Sequence, residues 1–243
     1  MKSERPFLLI NINNTNTSFA LANAKRILRI VKVPTLSVGK IPFAETRISG
    51  VVLGSVVPSV TRRVRRALAM RPLIVNADTD LGVGIHYPNK KQIGADRLAN
   101  AVGVAKLYGA PAIVVDFGTA VTFDIVNARS EYVGGVIAPG LASVTDYLYQ
   151  RTALLPRITL AEPRSVIGKS TIDAMRVGAV VGYRGLVKEI LRALKRERGM
   201  KKAVVVGTGG YGKLIAEKIP EIDHVNPLLT LEGLRFIYLR NRN

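Results

Sequence analysis

Residues Val114–Asp124 read VVDFGTAVTFD: an apolar strand, a short break and a second strand. Asp116 closes the first strand, where strand propensity gives no reason for a carboxylate. A natural use for an acid there is to hold a cation beside a phosphate. Gly118 then permits close backbone approach, and Thr119 offers a hydroxyl. Upstream, FLLINI (Phe7–Ile12) opens the chain in the same way, followed by a polar turn and TSFALA (Thr17–Ala22). A third apolar stretch, RILRIVKV (Arg26–Val33), follows, then ISGVVLGSVV (Ile48–Val57) ending at Pro58. Downstream of the quoted segment come a strand around Tyr132–Val136, the turn IAPG (Ile137–Gly140), a long helix from about Ser170 to Arg198, and KAVVVGTGG (Lys202–Gly210). Three strands joined by tight turns, then alternating helices and strands, thus occur twice. That pattern predicts a mixed α/β architecture built by duplication, with domains at residues 1–110 and 111–243 and a cleft between them.

The first turn carries Asn11, Asn13, Asn14, Thr15 and Asn16. A tight hairpin favours residues that accept positive φ, and asparagine is the best after glycine. Its backbone N–H groups and hydroxyls suit a nucleotide phosphate. On this segment alone an ordinary Asn-rich turn is the plainer reading. Two such hairpins gripping one polyphosphate is the arrangement of the actin and hexokinase superfamily. The chain has no G-x-x-x-x-G-K-[ST] loop.

Composition narrows the function classes. The chain has 243 residues, of which 48% are hydrophobic, so a full core is expected. There is no cysteine, and histidine occurs only at His86 and His224, which argues against thiolate and multi-histidine metal sites. The N-terminus lacks the pattern of a signal peptide, and no apolar run approaches membrane-spanning length, so a cytoplasmic protein without membrane contact is expected. The formal net charge is +19. It is spread over amphipathic segments, TRRVRRALAMR (Thr61–Arg71) and RGLVKEILRALKRERGMKK (Arg184–Lys202). A solvated basic face is the expectation, with nucleic acid not a partner.

The segment YPNKKQIGADRLANAVG (Tyr87–Gly103) predicts a helix from about Ala95 with Asp96 in its first turn, where the helix dipole favours a carboxylate. Arg97 beside it can meet an anion with a forked pair of hydrogen bonds. GTGG (Gly207–Gly210) is either a helix start near an adenosine moiety or a plain strand-to-helix turn.

Taken in order, INNTNT, SVVPSVTRRV, the GADR segment, VVDFGTAVTFD, YVGGVIAPGL, RTALLPRI, IGKSTIDAMRVGAVVGY, VVVGTGG and LTLEGLRFIY resemble the type III pantothenate kinases along nearly the whole chain. The resemblance implies duplicated ribonuclease H-like, actin-like ATPase domains. It implies ATP-dependent phosphorylation of pantothenate to 4′-phosphopantothenate, at the entry to coenzyme A synthesis. It makes Asp96 the residue that activates the pantothenate hydroxyl, with Tyr87, Gly94, Ala95, Arg97 and Thr171 at the substrate. It assigns nucleotide contacts to Asn11, Asn13, Asn14, Thr15, Asn16, Thr119 and Gly209. Asp116 becomes the ligand of a monovalent cation, K⁺ or NH₄⁺, with Mg²⁺ accompanying the nucleotide, and the enzyme a homodimer.

Three positions depart from the family. Its first hairpin usually reads D-x-G-N-T, and here Asn11 replaces the acid and Asn13 the glycine. Lys90 stands where a proline is common. A neutral Asn11 weakens attraction for a divalent cation, so a nucleotide-binding regulator with weakened catalysis is the alternative expectation.

Overall fold

A computed structural model of the protein describes residues 5–242. It divides into two compact units. Of the described residues, the first comprises 5–109, 129–133 and 228–242, and the second 110–128 and 134–227. This differs from a single division near residue 110, because the last helix returns to the first unit.

In the first unit, β1 (Phe7–Ile12), β2 (Asn16–Ala22) and β3 (Ile27–Pro34) form an antiparallel meander. A parallel strand, β4 (Val51–Ser55), adds on the other side of β1, followed by the short β5 (Leu73–Ile74), giving the order β3-β2-β1-β4-β5. The second unit repeats the plan with β7 (Ala112–Phe117), β8 (Ala120–Val126) and β9 (Glu131–Pro139), then β10 (Val204–Thr208) and β11 (His224–Val225) on the far side of β7. The first residues of β9 belong to the first unit, where Glu131 and Tyr132 pair with β6 (Gly84–Ile85). The expected duplication is therefore visible strand by strand.

Strand alternation sorts the two faces of the first sheet. Leu8, Ile10 and Ile12 of β1 join Phe19, Leu53, Val60 and Val64 in one core, which α1 (Pro58–Ala67) covers. Phe7, Leu9 and Asn11 point to the opposite face. There Phe7 stacks on Tyr238 of α6 (Leu229–Asn241), with ring centroids 4.1 Å apart. Helix α6 also packs against α2 (Ala95–Leu107). Gly233 makes that approach possible, since a Cβ there would collide with the backbone carbonyl of Ala99. Fully buried Asn100 on α2 accepts a hydrogen bond from the Thr230 hydroxyl at 2.7 Å. Buried Arg235 donates to Glu232 and to the carbonyl of Ala24, both at 2.6 Å. These contacts fasten the last helix to the first unit.

In the second unit α3 (Leu141–Arg151) and α4 (Thr171–Arg196) pack together, and α5 (Gly212–Ala216) follows β10. Helix α4 starts where the sequence predicts, because the Ser170 hydroxyl caps it by accepting from the Asp173 N–H at 3.1 Å. Burial pushes the Tyr183 phenol up to about 12, and it donates to the Pro139 carbonyl at 3.1 Å. No described helix is long and apolar enough to cross a membrane.

Candidate functional site

The first hairpin sits at the end of β1. Asn13 N–H donates to the Asn16 carbonyl at 3.1 Å, leaving Asn14 and Thr15 at the exposed tip. None of the four has positive φ, so the expected left-handed asparagine is not used. The turn is held from behind instead. Thr35 donates its hydroxyl to the Asn13 carbonyl at 2.6 Å, its N–H to Thr15 at 3.0 Å, and lies 3.0 Å from the Thr17 hydroxyl. With the backbone tied down, Asn14, Thr15 and Asn16 present their polar groups outward.

Asn11 is buried at 6% exposure. Its side-chain oxygen and that of Asn13 are buried without a hydrogen-bond partner among the described residues. An unmet buried amide oxygen costs roughly 1–3 kcal/mol. A cation or donor arriving with a ligand would remove that cost.

The start of α2 lies on the same sheet face as Asn11. Gly54 is Asn11's register partner on β4, and a Cβ on Gly54 would lie 3.6 Å from the Ala95 Cβ. At this helix start the Asp96 carboxylate folds back to accept the Arg97 N–H at 2.8 Å. It passes over Gly94, where a Cβ would come within 2.5 Å of Asp96 Oδ1 and 3.3 Å of Val56. Gly94 thus serves as a space for the carboxylate. Burial holds the Asp96 carboxyl above its ordinary value, against the opposing pull of the Arg97 N–H and guanidinium. A raised carboxyl is a better proton acceptor than a solvated one.

Arg97 is steered from its other side by a residue the sequence reading missed. Tyr132, fully buried, lies under the Arg97 guanidinium at 5.7 Å from the ring centroid. Its edge meets half-buried Tyr87 at 6.0 Å. His86 N–H also donates to the Tyr132 carbonyl at 2.9 Å, which fixes Tyr87 next along the chain. The structure therefore brings Tyr87, Gly94, Ala95, Asp96 and Arg97 into one region of the first unit. Tyr132 sits in YVGGVIAPGL, read only as a strand; its aromatic type at a strand start carried no functional signal.

In the second unit Asp116 is the fifth residue of β7, paired with Thr122, the third of β8. Asn11 is likewise the fifth residue of β1, paired with Ser18, the third of β2. The two repeats therefore place Asn11 and Asp116 at equivalent positions, one neutral and one acidic. Gly118 N–H donates to the Ala120 carbonyl at 3.2 Å, closing a turn with Thr119 exposed at its tip. Gly118 has ordinary φ, and a Cβ on it would make only ordinary contacts. The close approach falls on other glycines. Gly209 has φ +90°, and a Cβ there would come within 2.5 Å of Asp116 Oδ1 and 2.7 Å of the Phe117 backbone. A Cβ on Gly140 would strike the Thr119 carbonyl. Tyr211 N–H adds a bond to the Phe117 carbonyl at 3.2 Å. GTGG therefore braces the Asp116 turn, and the helix after it is only five residues long. Thr171 is exposed at the first position of α4, in the second unit and apart from this turn in sequence.

No group of three or more His, Cys, Asp or Glu suited to a metal occurs among the described residues. A cation at Asp116 would draw its other ligands from carbonyl oxygens, water and phosphate. That donor set fits a monovalent ion, or magnesium carried in by a nucleotide.

The family model described as type III pantothenate kinase matches residues 7–193. A protein from Akkermansia muciniphila named type III pantothenate kinase is 51% identical over 234 residues, covering 94% of this chain and 96% of its own. Among solved structures, one titled a conserved putative Baf family transcriptional activator from Campylobacter jejuni superposes with a TM-score of 0.63 at 21% identity, over 96% of this chain and 98% of the other. Another, a putative N-acetylmannosamine kinase from Listeria monocytogenes, gives 0.55 at 10% identity, over 98% and 100%. At those identities the solved structures speak to the fold alone.

Proposed function

The chain belongs to the type III pantothenate kinase family, and on that premise we propose how its residues share the work. The enzyme transfers a phosphoryl group from ATP to pantothenate, giving ADP and 4′-phosphopantothenate, the first step of coenzyme A synthesis. The observation that carries the assignment of roles is the half-buried Asp96 carboxylate, folded over Gly94 at the start of α2 with its proton affinity raised. Asp96 orients the primary hydroxyl of pantothenate and accepts its proton as the oxygen bonds to the γ-phosphorus and the bond to the β-phosphate oxygen breaks. Arg97, held by Tyr132, presents its guanidinium to an anionic group of the substrates. Tyr87, Gly94, Ala95 and Thr171 complete the pantothenate contacts.

Asn11, Asn13, Asn14, Thr15 and Asn16 offer backbone and side-chain groups to the nucleotide phosphates, and Thr119 and Gly209 belong to the second hairpin's share. Asp116 holds a monovalent cation, K⁺ or NH₄⁺, and Mg²⁺ enters with ATP, bound chiefly by phosphates and water. When present, these cations neutralise charge on the phosphates. A cytoplasmic location is part of this reading, because the reaction consumes ATP. So is a homodimer, supported by exposed apolar side chains of the second unit, among them Ile137, Tyr147, Leu154, Ile167 and Ile172. The family and its relatives give no support to a non-catalytic regulator.

The test is a coupled assay of ADP release with and without pantothenate, run across potassium concentration. Pantothenate-dependent release that rises with potassium is expected. Asp96→Asn and Asp116→Asn should each abolish it while the thermal melt stays cooperative. Full activity in Asp96→Asn would remove the role given to that carboxylate.

A further inference from the structure

Helix α1 carries four arginines in five residues, and the structure sends them two ways. Arg63 turns toward the carbonyls of Thr35 and Leu36, at 3.4 and 3.5 Å. Arg62, Arg65 and Arg66, all exposed, line instead an open, shallow concavity, where Arg71 joins them after the chain passes through Leu68 and Met70. No acidic residue lines this cavity. Among the described residues none of these four arginines makes an ion pair.

Such a cluster carries an internal cost. Arg62 faces Arg65 and Arg66 at three- and four-residue spacing, and like charges so placed destabilise a helix by about 0.2–0.5 kcal/mol a pair. Arg65 and Arg66 lie in the last turn, where the helix dipole welcomes them. Arg62 and Arg71 have no such reason to be there. Four arginines of one sign line this surface, and a guanidinium fork suits phosphate oxygens. Leu68 and Met70 add apolar surface beside the charge.

We propose that this cavity is a second anion site, separate from the residues assigned to catalysis, that binds a small, multiply phosphorylated ligand. The four arginines fall within ten residues at one end of a short helix, so a compact oligophosphate matches them better than the extended backbone of a duplex.

Isothermal titration of the full chain with inorganic tripolyphosphate tests this. The comparison is between a cavity triple, Arg62→Gln, Arg66→Gln and Arg71→Gln, and a control triple, Arg196→Gln, Lys201→Gln and Lys202→Gln. Both remove the same charge, and only the first touches the cavity. The cavity triple should bind about tenfold more weakly, given the strength of charge-assisted bonds, and the control less than about twofold. Any tripolyphosphate bound at the nucleotide groups contributes equally to both. Pantothenate-dependent ADP release should be unchanged in the two triples, which also reports that they fold. Arg71→Gln alone, outside the helix, repeats the test with no helix residue altered. Equal weakening in both triples would reduce the effect to net charge and overturn the site. Loss of duplex DNA binding without loss of tripolyphosphate binding would overturn it in favour of nucleic acid. Absence of kinase activity in the native chain would bear on the proposed catalytic roles and leave this comparison intact.

Discussion

Burial and charge pull Asp96 in opposite directions, and that balance can be measured. Its carboxyl is raised above the ordinary 3.8 chiefly by burial. Ionising it therefore costs more in the folded chain than in the unfolded one. Below 3.8 the cost is absent; it develops as pH rises through the raised value and is complete above it. Asparagine keeps the oxygen that accepts the Arg97 N–H but never ionises. Asp96→Asn should thus abolish turnover and yet melt at or above the wild-type temperature at pH 7, with the gain shrinking toward pH 4. Melting curves across pH measure this, and a variant less stable than wild type at pH 7 would contradict it. Tyr132 invites a second test at the same scale. If its ring steers Arg97 and Tyr87, Tyr132→Leu should raise the KM for pantothenate about tenfold, within the range of a cation–π contact between exposed and desolvated, with the KM for ATP little moved. Tyr132→Phe, which keeps the ring, should stay close to wild type. Steady-state kinetics on the two variants separate ring from hydroxyl. The sequence made Asp96 and Arg97 legible through the family resemblance that the GADR segment carries; their spacing alone marked only a helix start. Tyr132 stayed hidden, since its role depends on β9 pairing with β6 and so on contacts far apart in the chain.

At the level of elements, the strand–turn–strand openings were legible from apolar runs broken by polar turns. Their boundaries agree closely with β1–β2 and β7–β8. What the runs could not give is how each turn is closed. Positive φ was expected at the asparagines and is absent; the threonine network behind the turn does that work. Gly118 was expected to permit close approach, but Gly209 and Gly140 are where a Cβ would collide. Helix α6 shows the same dependence on distant partners. Gly233→Ala would drive a methyl into the Ala99 carbonyl, and overpacking of this kind costs about 1–3 kcal/mol. Differential scanning calorimetry should show Tm falling by about 2–4 °C per kcal/mol. An unchanged Tm would mean that α2 and α6 part easily.

On the scale of the whole molecule, the +19 charge is the dominant feature. Seventeen acids cannot neutralise thirty-six bases, so the folded chain repels itself. Salt screens that repulsion within a Debye length of about 8–10 Å near physiological strength. Raising sodium chloride from low to moderate concentration should therefore raise Tm by several degrees, opposite to the response of a fold held by exposed ion pairs. Thermal melts at graded salt decide it; a fall in Tm would show that attractive surface pairs outweigh the excess charge.

By itself the sequence determined the family, the duplicated α/β plan and the residues at the helix start and the second hairpin. These are local patterns, set by hydrophobic period and by short segments whose order survives without coordinates. Only the tertiary structure decided that the C-terminal helix belongs with the first unit, that Asn11 and Asp116 hold equivalent places in two repeats, and that Tyr132 backs Arg97. Each of these rests on strand register or on packing between distant segments. A linear sequence carries the residues for such contacts but not the geometry that makes them meet.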